Sequence, residues 1–142
     1  MIGDRTAMVG AVDRAHRAYE STRGRGPAYL AHFSRAQLDG LTGLAFMRIG
    51  DHGEAATYLQ SVAGGSVAYP REEIAWQIRR AQNSVRAGAI SDACEVLIDN
   101  FAGISKVAST RLQTTAADIA NELRGHAAVP EVRAFFGLWT AR

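Results

Sequence analysis

Apolar residues recur along this chain at three- and four-residue intervals, and runs of strict apolar–polar alternation are missing. The first pattern marks helices that bury one face, and the second would mark strands. The clearest case is Leu38 to Leu59. Leu38, Leu41, Leu44, Ala45 and Ile49 lie on or near one face of a predicted helix. Ala55, Leu59 and Val62 do the same in a second, beyond Gly50-Asp51-His52-Gly53. Ser34 followed by Gln37 has the form of a capping box opening the first helix. Gly50 suits the left-handed conformation that ends a helix, and Asp51 with Glu54 opens the next. The loop Gly64-Gly65-Ser66 closes the pair.

The same layout returns 38 residues on, from Gly50 to Gly88. A helix is predicted from about Arg71 to Ala87, with Ile74, Ile78, Ala81 and Val85 inward. Another starts at Ser91 or its neighbours and carries Ala93, Val96, Leu97 and Phe101. Superposing the pairs aligns Gly43 with Ala81, Glu54 with Asp92, Ala55 with Ala93 and Leu59 with Leu97. Small residues let two helices approach, glycine turns the chain, and a large apolar residue locks the second helix on the first. Flanking the pairs are a helix at 4–22, with Met8, Val12, Ala15 and Tyr19 in one stripe, a long helix at 105–124, and a short one at 130–139. The last holds Val132, Phe135, Phe136 and Trp139. Pro27, Pro70 and Pro130 fall at boundaries, where the missing N–H is tolerated. The fold class expected is all-α: one domain over 1–142, with repeat units at about 34–66 and 71–104.

Composition narrows the function only by exclusion. With 47% apolar and 21% charged residues, 142 residues suffice for a buried core. A net charge of +2, with acidic and basic residues interspersed, gives no basic face for nucleic acid. The single cysteine, Cys94, reads as a small buried hydrophobe, and with no signal-peptide core at the N-terminus it suggests a cytoplasmic protein. No apolar run is long enough to span a membrane. His16, His32, His52 and His126 are dispersed without metal-ligand spacing, so no metal and no cofactor are expected. No nucleophile elbow, phosphate loop or dinucleotide fingerprint occurs, and no catalytic residue is assigned.

The two hairpins resemble the tetratricopeptide repeat, a helix–turn–helix unit of about 34 residues that stacks into a right-handed solenoid. Ordered motifs extend the likeness over most of the chain. They are Pro27-x-Tyr29-Leu30-x-His32-Phe33, Ala36-x-Leu38, Leu44, Ile49-Gly50 and Glu54-Ala55. Arg71, Arg79 and Arg80 come next, then Gly88 with Ala93, Ser109-x-Arg111-Leu112, and Pro130-x-Val132-x-x-Phe135. In this order they resemble the C-terminal region of actinobacterial helix-turn-helix transcriptional regulators. The resemblance implies a module that senses a peptide, protein or small molecule and associates with itself. The family's DNA-reading domain is not expected within these residues. The expectation is an excised C-terminal domain or a stand-alone repeat protein, with no direct nucleic-acid binding and no membrane.

In such repeats the first helices of the hairpins line a groove, which implies ligand contacts at Leu44, Met47 and Arg48, and at Ile78, Gln82, Val85 and Arg86. Arg111 of the later helix faces the same groove or a surface ion pair. Arg48 and Arg86 suit a peptide carboxylate, which a guanidinium grips in a fork, or they complement helix dipoles at C-termini. Trp76 with Arg79 and Arg80 is a packing residue or a cation–π patch. Three functional classes remain open. One is a protein- or peptide-binding regulatory module. Another is a small biosynthetic enzyme or accessory protein using the groove as a substrate pocket, with His32, Glu73 and Asp39 as its only acid–base candidates. The third is a structural homodimer docked through Phe135, Phe136 and Trp139.

Overall fold

The computed structural model describes residues 2–22, 35–63 and 70–142. The Ser34 cap, the Pro27 to Phe33 motif and the Gly64–Ser66 loop lie outside them. Eight α-helices are described, with no strand among the described residues: α1 (Ile2–Thr22), α2 (Arg35–Arg48), α3 (His52–Val62), α4 (Pro70–Arg86), α5 (Ile90–Asp99), α6 (Phe101–Val107), α7 (Thr110–Leu123) and α8 (Pro130–Trp139). The fold class is therefore all-α. The chain gathers into two compact units, Met1–Val62 and Ala63–Arg142.

Each unit is built around one hairpin, and the two hairpins turn in the same way. Gly50 and Gly88 both have φ of 82°. At the first turn the Asp51 N–H donates to Phe46 O at 3.0 Å, and the Gly50 N–H to Met47 O at 3.1 Å. At the second the Ala89 N–H donates to Ser84 O at 2.8 Å, and the Gly88 N–H to Val85 O at 3.0 Å. This nested pair satisfies carbonyls that a helix end leaves without partners. The starts of the second helices differ. Asp51 accepts from the Glu54 N–H at 3.1 Å and so caps α3. Its counterpart, Ala89, has no side chain to cap α5.

In the first unit, α2 lies so close to α3 that a Cβ on Gly43 would sit 2.8 Å from Leu59 Cγ. Ala55 and Leu59 are wholly buried. That approach sets the rotation of α2. At about 100° per residue, Phe46 and Met47 fall within about 60° of Gly43, whereas Leu41 lies about 160° away. Phe46 and Met47 are accordingly buried and Leu41 is 53% exposed. Of the inward face predicted through Leu38, Leu41, Leu44, Ala45 and Ile49, Leu38 is buried as expected, Leu41 is turned outward, and Leu44, Ala45 and Ile49 are only half-buried. Helix α1 leans on α2 with Met8, Val12 and Tyr19 half-buried.

The second unit holds the larger core. α5, α6 and α7 pack on α4, and α8 packs on α5. Ile74, Ile78, Ala81, Val85, Ala93, Leu97, Ile119, Leu123, Val132 and Phe135 fill the interior. The long helix expected at 105–124 is instead broken. Ala108 and Ser109 are extended, and Ser109 Oγ accepts from the Leu112 N–H at 3.3 Å, which makes Ser109 the cap of α7. Gln113 Nε2 reaches back to Ile104 O at 2.6 Å and satisfies a carbonyl near the end of α6. Asn100 marks the other end of α6, and its Nδ2 donates to Val96 O at 2.7 Å.

Two glycine substitutions should act with opposite signs. Gly43→Ala drives a methyl into Leu59 and is expected to destabilise by about 1–2 kcal/mol, overpacking less the helix-propensity gain. Gly137→Ala, in α8, meets nothing within 4 Å and should stabilise by about 0.5–1 kcal/mol. Urea unfolding followed by circular dichroism measures both. A Gly43→Ala midpoint at or above wild type would rule out the close α2–α3 contact.

Candidate functional site

The residues expected to line a groove divide between the units and differ in burial. In the first unit, Leu44 is half-buried, Arg48 is exposed in the last turn of α2, and Met47 is 6% exposed. In the second, Gln82 is half-buried and accepts a hydrogen bond from Arg79 Nη1 at 3.1 Å. Arg86 is exposed in the last turn of α4, and Arg111 is exposed in the first turn of α7. Ile78 is wholly buried, and Val85 is also in the core. Met47, Ile78 and Val85 therefore serve packing. A 3.6-residue stripe does not say which of its edges is covered. The surface-available members are Leu44, Arg48, Gln82, Arg86 and Arg111.

Arg48 and Arg86 are equivalent under the 38-residue offset, each two residues before the left-handed glycine. Both stand where a cation complements the helix dipole. Neither forms an ion pair with a described residue. Arg111 stands at a helix start, where the dipole does not favour a cation.

The residues weighed for other chemistry each have their own surroundings. Asp39 is held by Arg35 Nε at 3.1 Å. Glu73 accepts from Gln77 Nε2 at 2.8 Å. His32 lies outside the described residues. Phe135 and Trp139 sit in the core of the second unit, and so do not form an exposed docking end. Phe136 is half-buried beneath the Arg124 guanidinium. Cys94 is buried, and burial, with a lesser push from the Glu131 charge, raises its thiol to about 11. A thiol so raised carries almost no thiolate at neutral pH and is a poor nucleophile. Among the described residues no group of three potential metal ligands occurs, and no helix is long and apolar enough to cross a membrane.

Two polar atoms on neighbouring residues of α4 stand apart from these contacts. Gln77 is 9% exposed; its Oε1 and the Trp76 Nε1 find no hydrogen-bond partner among the described residues. Trp76 is half-buried, and the arginine–ring contacts described lie elsewhere, at Phe46, Phe136 and Trp139.

A second cluster, in the first unit, was not apparent from the sequence. His16 Nε2 lies 3.1 Å from Thr42 Oγ. The Thr42 hydroxyl donates to Leu38 O at 2.8 Å, so its oxygen is left to accept and His16 must donate. Tyr58 stacks on Phe46 at 5.7 Å, the Arg5 guanidinium lies 5.9 Å from the centre of the Phe46 ring, and Arg5 pairs with Asp51. Arg5 and His16 are in phase with the Met8–Val12–Tyr19 stripe, and polar residues inside an apolar stripe were the available signal.

These features define an all-α protein built on two helical hairpins with a shared turn geometry. No protein-family model matches the chain, and no curated protein and no solved structure is significantly similar to it.

The Asp51 carboxyl is held below its ordinary range, first by the Glu54 N–H and then by Arg5. A lowered pKa means that its contribution is complete above the ordinary carboxylate value, about 3.9, and is lost as pH falls through the lowered one. Asp51→Ala should cost about 1 kcal/mol at neutral pH. The gap in melting temperature from wild type should hold steady from pH 7 to 5 and close as pH falls below about 4. A gap at pH 2 as wide as at pH 7 would contradict the contribution of the carboxylate charge to the cap.

Proposed function

We propose that the chain is a protein- or peptide-binding regulatory module, the ligand-sensing or self-association part of a transcriptional regulator, with its hairpins stacked as tetratricopeptide-like units. The observation that carries this reading is the repetition of Arg48 as Arg86. Two hairpins with the same turn each present an exposed guanidinium at the same place, without an ion-pair partner among the described residues. A guanidinium binds a carboxylate through paired N–H donors, so the ligand class that fits is a peptide with a free C-terminus or an acidic side chain. A ligand that prefers one arrangement of the hairpins shifts the population toward it, and this is how binding reaches a partner. The motif order from Pro27 to Phe135 supports the regulator context, without direct DNA contact by this chain.

Panning the full chain against a peptide library with free C-termini tests the reading. Selected peptides should lose about tenfold or more in affinity when amidated at the C-terminus, and comparably with Arg48→Gln or Arg86→Gln, the worth of a charge-assisted hydrogen bond. Circular dichroism establishes that both variants remain folded. Indifference to amidation and to both substitutions, or a library that yields no binder, would overturn it.

A further inference from the structure

Helix α1 relates to its unit differently from every helix of the second unit's core. Across residues 4–21 no side chain of α1 is buried, although the helix has 21 residues. Beneath it, Thr42 is 3% exposed and Phe46 is 5% exposed. The helix therefore covers a face without adding a buried side chain of its own. Beside the half-buried Met8, Val12 and Tyr19, its ties among the described residues include three polar ones: Arg5 to Asp51, His16 to Thr42, and Glu20 to Arg35 at 2.9 Å. Both ion pairs are substantially solvent-exposed, and such pairs are weak and screened by salt. Helix α8 provides the contrast, since it is held by Val132, Phe135 and Trp139, all buried.

We propose that α1 is a releasable strap over a helix-accepting face of the α2–α3 hairpin, and that α1 of a second copy is the helix this face takes when its own is released. The face offers an acceptor at Thr42 Oγ, the stacked Phe46–Tyr58 pair, and the Asp51 carboxylate beside the turn. It fits an amphipathic helix with a basic residue near its start and a hydrogen-bond donor three turns later. Arg5 and His16 supply this spacing, and a second copy brings the same two side chains. Exchange of an identical element reproduces every contact, so it costs little beyond bringing two chains together. Release is a property of the chain alone and does not rest on peptide binding at Arg48 and Arg86.

Hydrogen exchange on the full chain, read by mass spectrometry, tests the release. The amides of α1 should exchange about tenfold faster than those of α2 and α3, because opening the strap leaves the hairpin intact. Raising NaCl to about 0.5 M, or Arg5→Gln, should speed α1 exchange about two- to fivefold, in keeping with an exposed ion pair. Thr42→Val should do likewise through the lost His16 contact, and exchange in α4–α8 should not change. The accepting face is tested with a labelled synthetic peptide of residues 2–22, added to the full-length Arg5→Glu, His16→Ala chain, whose own α1 is weakened. Saturable binding that falls on adding Asp51→Asn is expected, since asparagine keeps the cap and removes the charge. Exchange of α1 in step with α2 and α3, insensitive to salt, would overturn the strap. Failure of the peptide to bind at concentrations up to about 1 mM, the effective concentration a tethered helix reaches, would overturn the second copy as occupant.

Discussion

The end of a helix is the constraint on which this molecule depends. Its last carbonyls need donors, and the chain must also reverse for the next helix to pack back. Gly50 and Gly88 meet both needs by entering the left-handed region, which L side chains resist. The first turn places Asp51 where it caps α3 and brings Gly43 against Leu59. Both turns leave an arginine, Arg48 or Arg86, as the last outward side chain of the helix before them.

The two units keep their helices together by different means. The second closes around a continuous apolar interior to which α4, α5, α6, α7 and α8 all contribute. The first has a narrower apolar seam between α2 and α3, and its remaining helix adds half-buried apolar side chains, a histidine–threonine contact and two ion pairs. Apolar burial is not directional and is little affected by salt. A polar seam depends on orientation and on solvent. Charged contacts therefore contribute to the seating of α1 in the first unit, while the interior of the second rests on burial.

The features legible in the sequence are those that local chemistry determines. The left-handed glycines, the Asp51–Glu54 cap, the proline start of α8 and the 38-residue offset each rest on a few neighbouring residues, and they stand in the structure as expected. The features that escaped depend on rotation about a helix axis. Leu41 and Phe46 are equally apolar, and only the approach at Gly43 decides which one faces α3. The break at Ser109 was missed because Ala108 carries no breaking chemistry, and the Gln113 side chain that stabilises it acts from the helix after it. The ligand residues were placed by resemblance, which marks a helix and not its exposed edge, so Met47 and Ile78 were grouped with arginines that do reach solvent. The His16–Thr42 contact joins residues 26 positions apart, beyond the reach of any local pattern.

The environment of Cys94 has a practical corollary. The chain has one sulfhydryl, sealed in the interior and with its ionisation pushed up to about 11. Maleimides and other thiol reagents act on accessible thiolate, so the native protein behaves toward them almost as if it had no cysteine. A cysteine introduced at any exposed site can therefore carry a spin label, fluorophore or crosslinker alone, with the wild-type core left intact. The buried thiol also becomes a reporter of opening, because it reacts only when the interior around it admits solvent.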